Sequence, residues 1–440
     1  MVTVSGGTGK HSAGRIDALR VVFDDDRAVA NAGLILPATL AGRLGLEGLI
    51  DEGVRLGDCA GAAHPGRKVL TLVHAILAGA GCIDDCQLLR SGETEAVLGH
   101  RVMAPSTLGT FLRAFTFGHV RQLDRVSEQA LGRAWAAGAG PGRAPVVIDL
   151  DSTVCEVHGY YKQGAGFAYT RVRGYHPLLA TRADTGEVLH VRMRKGQANT
   201  MRGAQRFVRE LAGRVRRAGA CGPLTIRADA GFWSQKVIAA CRAHNIRFSI
   251  SVRSGNTAIA AAIAGISDDD WQPVDYTAGG LAEVAETTYK GMRLIVRRTR
   301  LTGSQAQLFP DWRHHAFLTD RPGSPAGLDA DHRAHAVIEL AIRDLKAEGL
   351  AHCPSGNFSA NAAWVVIAAL AHNLVRWVAC LGLGITGAVV AKTLRTQLMS
   401  VPGRISRSGR RSQLHMPRRW PWAPAFTSAL ARLRAVTLQI

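Results

Sequence analysis

Two segments of this 440-residue chain, 146–151 (VVIDLD) and 224–229 (LTIRAD), read as apolar strands that each close on an aspartate. They stand in an alternation that leaves few folds open. After Gly138-Ala139-Gly140-Pro141-Gly142, a linker by composition, the pattern changes from helical to strand-like. Strands are predicted at 146–151, 175–182 and 187–194. A helix at 201–217 follows, then the strand ending at Asp229, a helix at 234–244 and a strand at 246–252. That order is an α/β layout with a mixed sheet, an antiparallel start giving way to parallel crossovers.

The strand-end aspartates also point to chemistry. Asp151 and Asp229 sit where rigid elements stop, and a carboxylate on a later helix, Glu339, makes a third. Two divalent ions held by such carboxylates supply an activated water and a neutralised phosphate, and hard cations want oxygen ligands. Asp149 competes for the same role, because a period of two puts it on the face of Asp151. Asp151 is preferred as nearer the strand end. On the Glu339 helix, His332, His335 and Lys346 lie at −7, −4 and +7, which places all four along one face. Such a stripe suits a surface that meets metal and phosphate, with Lys346 near the developing charge.

Composition names the partner. The chain carries 54 Lys and Arg against 34 Asp and Glu, a formal charge of +20, which implies a polyanion. Hydrophobic residues make up 47%, enough for a large core. The longest apolar stretch, 362–375, is interrupted by His372 and Asn373 and is shorter than the roughly 20 residues of a membrane span, so a buried helix is expected. No signal pattern opens the chain, and the eight cysteines form no paired CxxC motifs. A reduced, cytoplasmic, nucleoid-associated protein without zinc is the expectation.

Five regions are predicted. Residues 1–143 form a helical domain. A helix at 67–77, a short one capped by Asp84 or Asp85, and one opened by Pro105-Ser106-Thr107 suit either a helix-turn-helix DNA reader with Arg113 as a contact or an ordinary helical subdomain. The core runs through 144–254 and resumes at 313–389, with a strand at 316–319, the Glu339 helix and a long apolar helix at 360–378. Between them, 255–312 is a β-rich insertion with a hairpin at Lys290-Gly291, where Arg297 and Arg298 are candidate DNA contacts. The tail, 390–440, is basic, with a hairpin at Ser408-Gly409 and candidate DNA contacts Arg410 and Arg411.

The stretches VVIDLDSTVCEVHGYYKQGAGFAYTRVRGYHPLLA, TGEVLHVRMRKGQANT and LTIRADAGFWS, the helix HAVIELAIRDLKAEGL with the following NFSANAAWVVIAALAHNLVRW, and the tail SVPGRISRSGRRSQLHMPRRWPW carry a resemblance. Over roughly residues 145–425 the chain resembles bacterial insertion-sequence transposases of the DDE group 1 class, the thirteen-eighty insertion-sequence family. The resemblance implies an RNase H-like catalytic core with a β-rich insertion, and it maps the acidic triad to Asp151, Asp229 and Glu339. In a Y-R-E-K signature, Glu339 and Lys346 keep the E and K, while His332 and His335 occupy the Tyr and Arg places. Either imidazole remains a candidate hydrogen-bond donor to DNA. Two Mg²⁺ ions, with Mn²⁺ as substitute, double-stranded DNA as terminal inverted repeats and target, and a homodimer joining two ends are what the resemblance implies.

Several residues carry weaker signals. The Gly196-Gln197-Ala198-Asn199 loop reads as a capping loop or a phosphate contact. Tyr160, Tyr161, Tyr169 and Tyr175 read as strand packing or base stacking. Trp271 and Trp312 read as packing or as acceptors of a flipped base. Two other functions stay open: an RNase H-like nuclease without strand transfer, and a non-catalytic DNA-binding derivative of a transposase.

Overall fold

The computed structural model describes residues 19–167, 171–277, 280–301 and 311–438. Nine strands form one mixed sheet in the order Gln272–Val274, Gly280–Tyr289, Met292–Leu301, Arg313–Thr319, Ile246–Val252, Leu224–Ala228, Val146–Ser152, Leu178–Arg182, Val188–Arg192. Val146–Ser152 pairs antiparallel with Leu178–Arg182, which pairs antiparallel with Val188–Arg192. On its other side Val146–Ser152 runs parallel to Leu224–Ala228, itself parallel to Ile246–Val252. Three antiparallel strands followed by two parallel ones, with the first in the middle, is the RNase H-like arrangement. Val146, Ile148, Leu150, Leu224, Ile226 and Ile250 are buried, as parallel strands covered on both faces require. The crossover helices Ala204–Arg217 and Gln235–Ala243 lie near the predicted positions.

The predicted strand at 175–182 divides. Arg173–Tyr175 joins a separate three-stranded sheet with Cys155–Glu156 and Gly166–Phe167, and Leu178–Arg182 joins the main sheet. Pro177 stands between them and lacks the N–H a ladder needs. The insertion is also less separate than expected. Its hairpin forms at Lys290-Gly291, with Tyr289 paired to Met292. Both turn residues have positive φ, 51° and 70°, as a type I′ turn demands. The long hairpin then pairs through Arg313–Thr319 to Ile246–Val252, so the insertion extends the core sheet. It also contains a helix, Thr257–Ala264, which no periodicity announced.

The largest difference concerns residues 1–143. Gly138, at φ 109°, does interrupt the helix where the linker was predicted. Yet the helices Ile35–Arg43, Pro65–Ala78, Pro105–Arg113 and Phe117–Ala134 pack on the apolar helix Phe358–Trp377, and all share one continuous core with the sheet. Among the described residues, Phe358–Leu383 is the one helix long and apolar enough to cross a membrane, and it is enclosed by these neighbours. Ion pairs reinforce the contact: Asp124 meets Arg214 at 2.8 Å, and Glu128 meets Arg217 at 2.6 Å. The first of these pairs is buried. The predicted boundary is thus a helix break inside one packed body, because the apolar faces of these helices are buried in part against Phe358–Trp377.

The basic tail is folded too. Gly403–Ser408 and Arg411–His415 form the predicted hairpin, turning at Gly409-Arg410, and Ala28–Val29 adds a third strand. A helix absent from the sequence reading, Ala423–Ala435, packs on Ile35–Arg43.

Candidate active site

Strand register brings the two aspartates together. Leu150 is paired with Ala228 across parallel neighbours. The next residue on each strand is therefore Asp151 and Asp229, side by side about 5 Å apart along the hydrogen-bonding direction. Each carboxylate is steadied by a backbone N–H just beyond its strand: Ser152 N donates to Asp151 Oδ1 at 2.6 Å, and Gly231 N donates to Asp229 Oδ1 at 3.1 Å. Glu339 arrives from the other direction. Its helix, Val337–Leu345, buries Ile338, Ala341, Ile342 and Leu345 and packs against Val146–Ser152, leaving the Glu339 side of the helix exposed.

Electrostatics ties the three together. Burial, reinforced by the charges of Asp229 and Glu339, pushes the Asp151 carboxyl up to about 6, against the opposing Ser152 hydrogen bond and His335. Burial also raises Asp229, with His335 and Arg253 pulling the other way. Crowded carboxylates that repel each other are a donor set in want of a cation, and their oxygens suit a hard divalent ion. Among the described residues, no three His, Cys, Asp or Glu groups already converge to enclose an ion. The fit lies in donor type and charge rather than in a preformed cage.

Asp149 has a different occupation. It is fully buried and forms a two-pronged ion pair with Arg227, Nε–Oδ1 at 2.8 Å and Nη2–Oδ2 at 2.9 Å. The two residues are direct partners in the parallel ladder. Arg227 also donates to the Asp331 carbonyl at 2.5 Å, which anchors the start of the Glu339 region to the sheet. Both carboxylate oxygens of Asp149 are thus taken by a guanidinium. Arg227 escaped the sequence reading, although a lone cation inside the apolar strand LTIRAD, with a second aspartate available inside VVIDLD, was a usable signal.

The histidines differ from expectation. His332 is not available to phosphate. Its ring stacks on Phe317 at 4.2 Å, and its two nitrogens bond Ser249 Oγ at 2.8 Å and Ser251 Oγ at 2.9 Å. Burial, with His335 and Arg227 nearby, drives it down to about 3, so it stays neutral. His335 bonds Asp149 Oδ1 at 2.8 Å and faces the carboxylates rather than open solvent. A 3₁₀ turn at Ala334–Ala336 separates two α-helices here, so the four-residue stripe is not one regular face. Lys346 begins a π-turn and lines a cavity of about 560 Å³ with Val154 and Glu156, just past Asp151 on the chain.

The insertion arginines are engaged inside the protein. Arg298 lies between Trp271 and Trp312, 4.2 and 4.6 Å from their ring centres, and pairs with Glu283 at 2.5 Å. Arg297, 14% exposed, faces Asp329 at 3.8 Å. Neither is a free phosphate contact, and the two tryptophans hold a guanidinium where a flipped base was considered. Arg113, Arg410 and Arg411 are exposed. Tyr160 and Tyr161 are almost fully exposed, Tyr175 is buried, and Tyr169 lies outside the described residues.

A polar chain missed in the sequence supports the loop beside Asp151. His176 Nδ1–H donates to the Ala198 carbonyl at 2.6 Å, so its Nε2 accepts from Ser152 Oγ–H at 2.9 Å. Thr200 Oγ1 in turn lies 3.3 Å from Ser152 Oγ. Buried Arg194 binds the carbonyls of Asn199, Thr200 and Arg202 at 2.7, 3.1 and 3.0 Å. The Gly196–Asn199 loop is thereby held to the residue that follows Asp151.

Comparison with known proteins identifies a family for the chain. Residues 12–438 match the model of the transposase DDE domain group 1 family. No curated protein matches the chain. Among solved structures, the piggyBac transposase in its synaptic complex with hairpin DNA is similar at a TM-score of 0.47 and 13% identity, covering 84% of this chain and 80% of that one. With the family model spanning nearly its whole length, the chain belongs to the DDE group 1 transposases, a family that generally uses divalent metal ions.

Proposed function

We propose that this transposase moves an insertion sequence by a cut-and-paste route, using Asp151, Asp229 and Glu339 to cleave DNA and to transfer the freed 3′ end. The observation that carries the reading is the placement of Asp151 beside Asp229 on adjacent parallel strands, with Glu339 close enough to raise the Asp151 carboxyl. Two Mg²⁺ ions on these carboxylates would activate water and steady the attacking and leaving oxygens of an in-line displacement. The chain's own contribution is orientation. The Ser152 and Gly231 amides fix the two aspartates, the Arg227–Asp149 pair fixes the spacing of their strands, and the Val337–Leu345 helix sets Glu339 across from them. Lys346 supplies a cation for the phosphate near the developing charge. Exposed Arg113, Arg410 and Arg411 serve the terminal repeats and target DNA, and two protomers related by two-fold symmetry join the two ends.

The test is a duplex carrying the inverted repeat that flanks the coding region. Mg²⁺-dependent nicking at its end, followed by joining of a pre-cut end to a target, supports the proposal. Nicking without joining indicates a nuclease of the same fold. End binding without either reaction, or full turnover in EDTA, overturns it.

A further inference from the structure

The two backbone amides that hold the aspartates are built onto one buried histidine. His176 stands beside Pro177, where the chain leaves the small sheet for the main one. Its backbone is tied to Arg194 in both directions. His176 N donates to the Arg194 carbonyl at 3.2 Å, and Arg194 Nε donates to the His176 carbonyl at 2.8 Å. The ring therefore projects from a fixed anchor. Its Nδ1 meets the Ala198 carbonyl, which can only accept, so Nδ1 carries the proton. Burial holds the imidazole below the usual histidine range, against the Ala198 bond, and Arg194 adds to the effect. The ring is neutral, and Nε2 is an acceptor.

Ser152 Oγ–H fills that acceptor at 2.9 Å, which leaves Ser152 Oγ to accept from Thr200 Oγ1–H at 3.3 Å. The serine side chain is thus held from two sides. The backbone N–H of the same serine is the donor to Asp151 Oδ1. Thr200 reaches the other aspartate's support by contact. A Cβ added to Gly231 would lie 3.0 Å from both Thr200 Cβ and Cγ2, so the threonine packs directly on that glycine. Gly231 N is the donor to Asp229 Oδ1. One histidine stands behind both amides, by a hydrogen bond on the Asp151 side and through Thr200 on the Asp229 side. With Oδ1 of each carboxylate on an amide, the second oxygen of each is left for a cation.

We propose that His176 is a positioning residue for the metal-binding carboxylates. Through Ser152 and Thr200 it fixes the amides that aim Asp151 and Asp229, and so sets how tightly the pair holds divalent ions. The proposal rests on the metal-dependent cleavage reading above. Removing a group that orients ligands from behind typically changes metal affinity or activity by roughly 10- to 100-fold.

Two substitutions separate the ring's two bonds. His176→Asn keeps an amide N–H near Nδ1 for Ala198 and loses the acceptor for Ser152. His176→Gln keeps a carbonyl oxygen near Nε2 for Ser152 and loses the Ala198 bond. Both are compared in the full-length chain with Ser152→Ala and with the double variant His176→Asn/Ser152→Ala. One readout is the Mg²⁺ concentration that raises the melting temperature of the DNA-free protein by a fixed amount above its value in EDTA. The other is the Mg²⁺ concentration for half-maximal single-turnover cleavage of the terminal-repeat duplex. His176→Asn and Ser152→Ala should each need roughly tenfold more Mg²⁺ or higher in both assays, with cleavage at saturating Mg²⁺ near wild type. His176→Gln should track wild type, and the double variant should need no more Mg²⁺ than either single one. Unchanged Mg²⁺ dependence in His176→Asn and Ser152→Ala, a larger loss in His176→Gln than in His176→Asn, or additive losses in the double variant would overturn the proposal and leave the transposase reading intact. If His176→Asn does not fold, Ser152→Ala, which removes a single hydroxyl, decides alone. A wild-type protein that shows neither a Mg²⁺-dependent melting shift nor cleavage overturns the metal reading and the proposal with it.

Discussion

Replacing Asp151 by Asn should make the metal-free protein more stable while abolishing cleavage. The folded-state carboxyl of Asp151 is raised from 3.8 to about 6, first by burial and then by Asp229 and Glu339. A raised folded-state pKa means that the folded chain holds the proton more tightly than the unfolded chain. The associated stability is fully present below about pH 4 and is lost as pH rises through about 6. A shift of about 2 units at 1.36 kcal/mol each corresponds to about 3 kcal/mol, reduced to about 2 because the carboxyl keeps some solvent contact. Asparagine removes the charge but keeps an oxygen for the Ser152 amide. At pH 8 in EDTA, Asp151→Asn should melt several degrees above wild type, and the gap should close toward pH 4. Mg²⁺ should raise the melting temperature of wild type at pH 8 and do little for the variant, because a ligand stabilises only the state that binds it. Thermal melts over a pH series, with and without Mg²⁺, read all of this. Equal melting at pH 8, or a less stable variant, would refute the argument that burial and the charges of Asp229 and Glu339 penalise the ionised Asp151 carboxyl.

Asp149→Ala should behave oppositely to Asp151→Asn: it strands the buried Arg227 charge and should cost about 3–5 kcal/mol, seen as a large fall in melting temperature. If that variant keeps its melting temperature and loses only cleavage, Asp149 is the metal ligand after all. Lys346→Ala should slow single-turnover cleavage by up to about a hundredfold, while the log–log salt slope of DNA binding changes by only about 1; an unchanged rate with weakened affinity would place Lys346 outside the site. A fragment of residues 1–143 should fail to show helical cooperative melting by circular dichroism, because its apolar helices rely on Phe358–Trp377; a sharp melt would restore it as an autonomous domain.

What the sequence determined by itself is local. Alternation and β-branched content placed Val146–Ser152, Leu224–Ala228 and Ile246–Val252, and the crossover helices between them, within a few residues. Turn chemistry placed both hairpins, because only certain residues accept the positive φ of Lys290, Gly291 and Gly409. The strand-end position of Asp151 and Asp229 followed from the same periodicity. Tertiary structure decided who partners whom. Asp149 and Asp151 share a face and a residue type, and only the register that sets Asp149 against Arg227 gives them separate roles. His332 reads as a surface residue on its own helix, until Ser249, Ser251 and Phe317 from two distant strands close around it. Residues 1–143 look autonomous until a helix more than two hundred residues later covers their apolar faces. Periods of 3.6 and 2.0 report which side of an element is apolar, and carry no information about which remote surface will bury it or which charge will stand opposite.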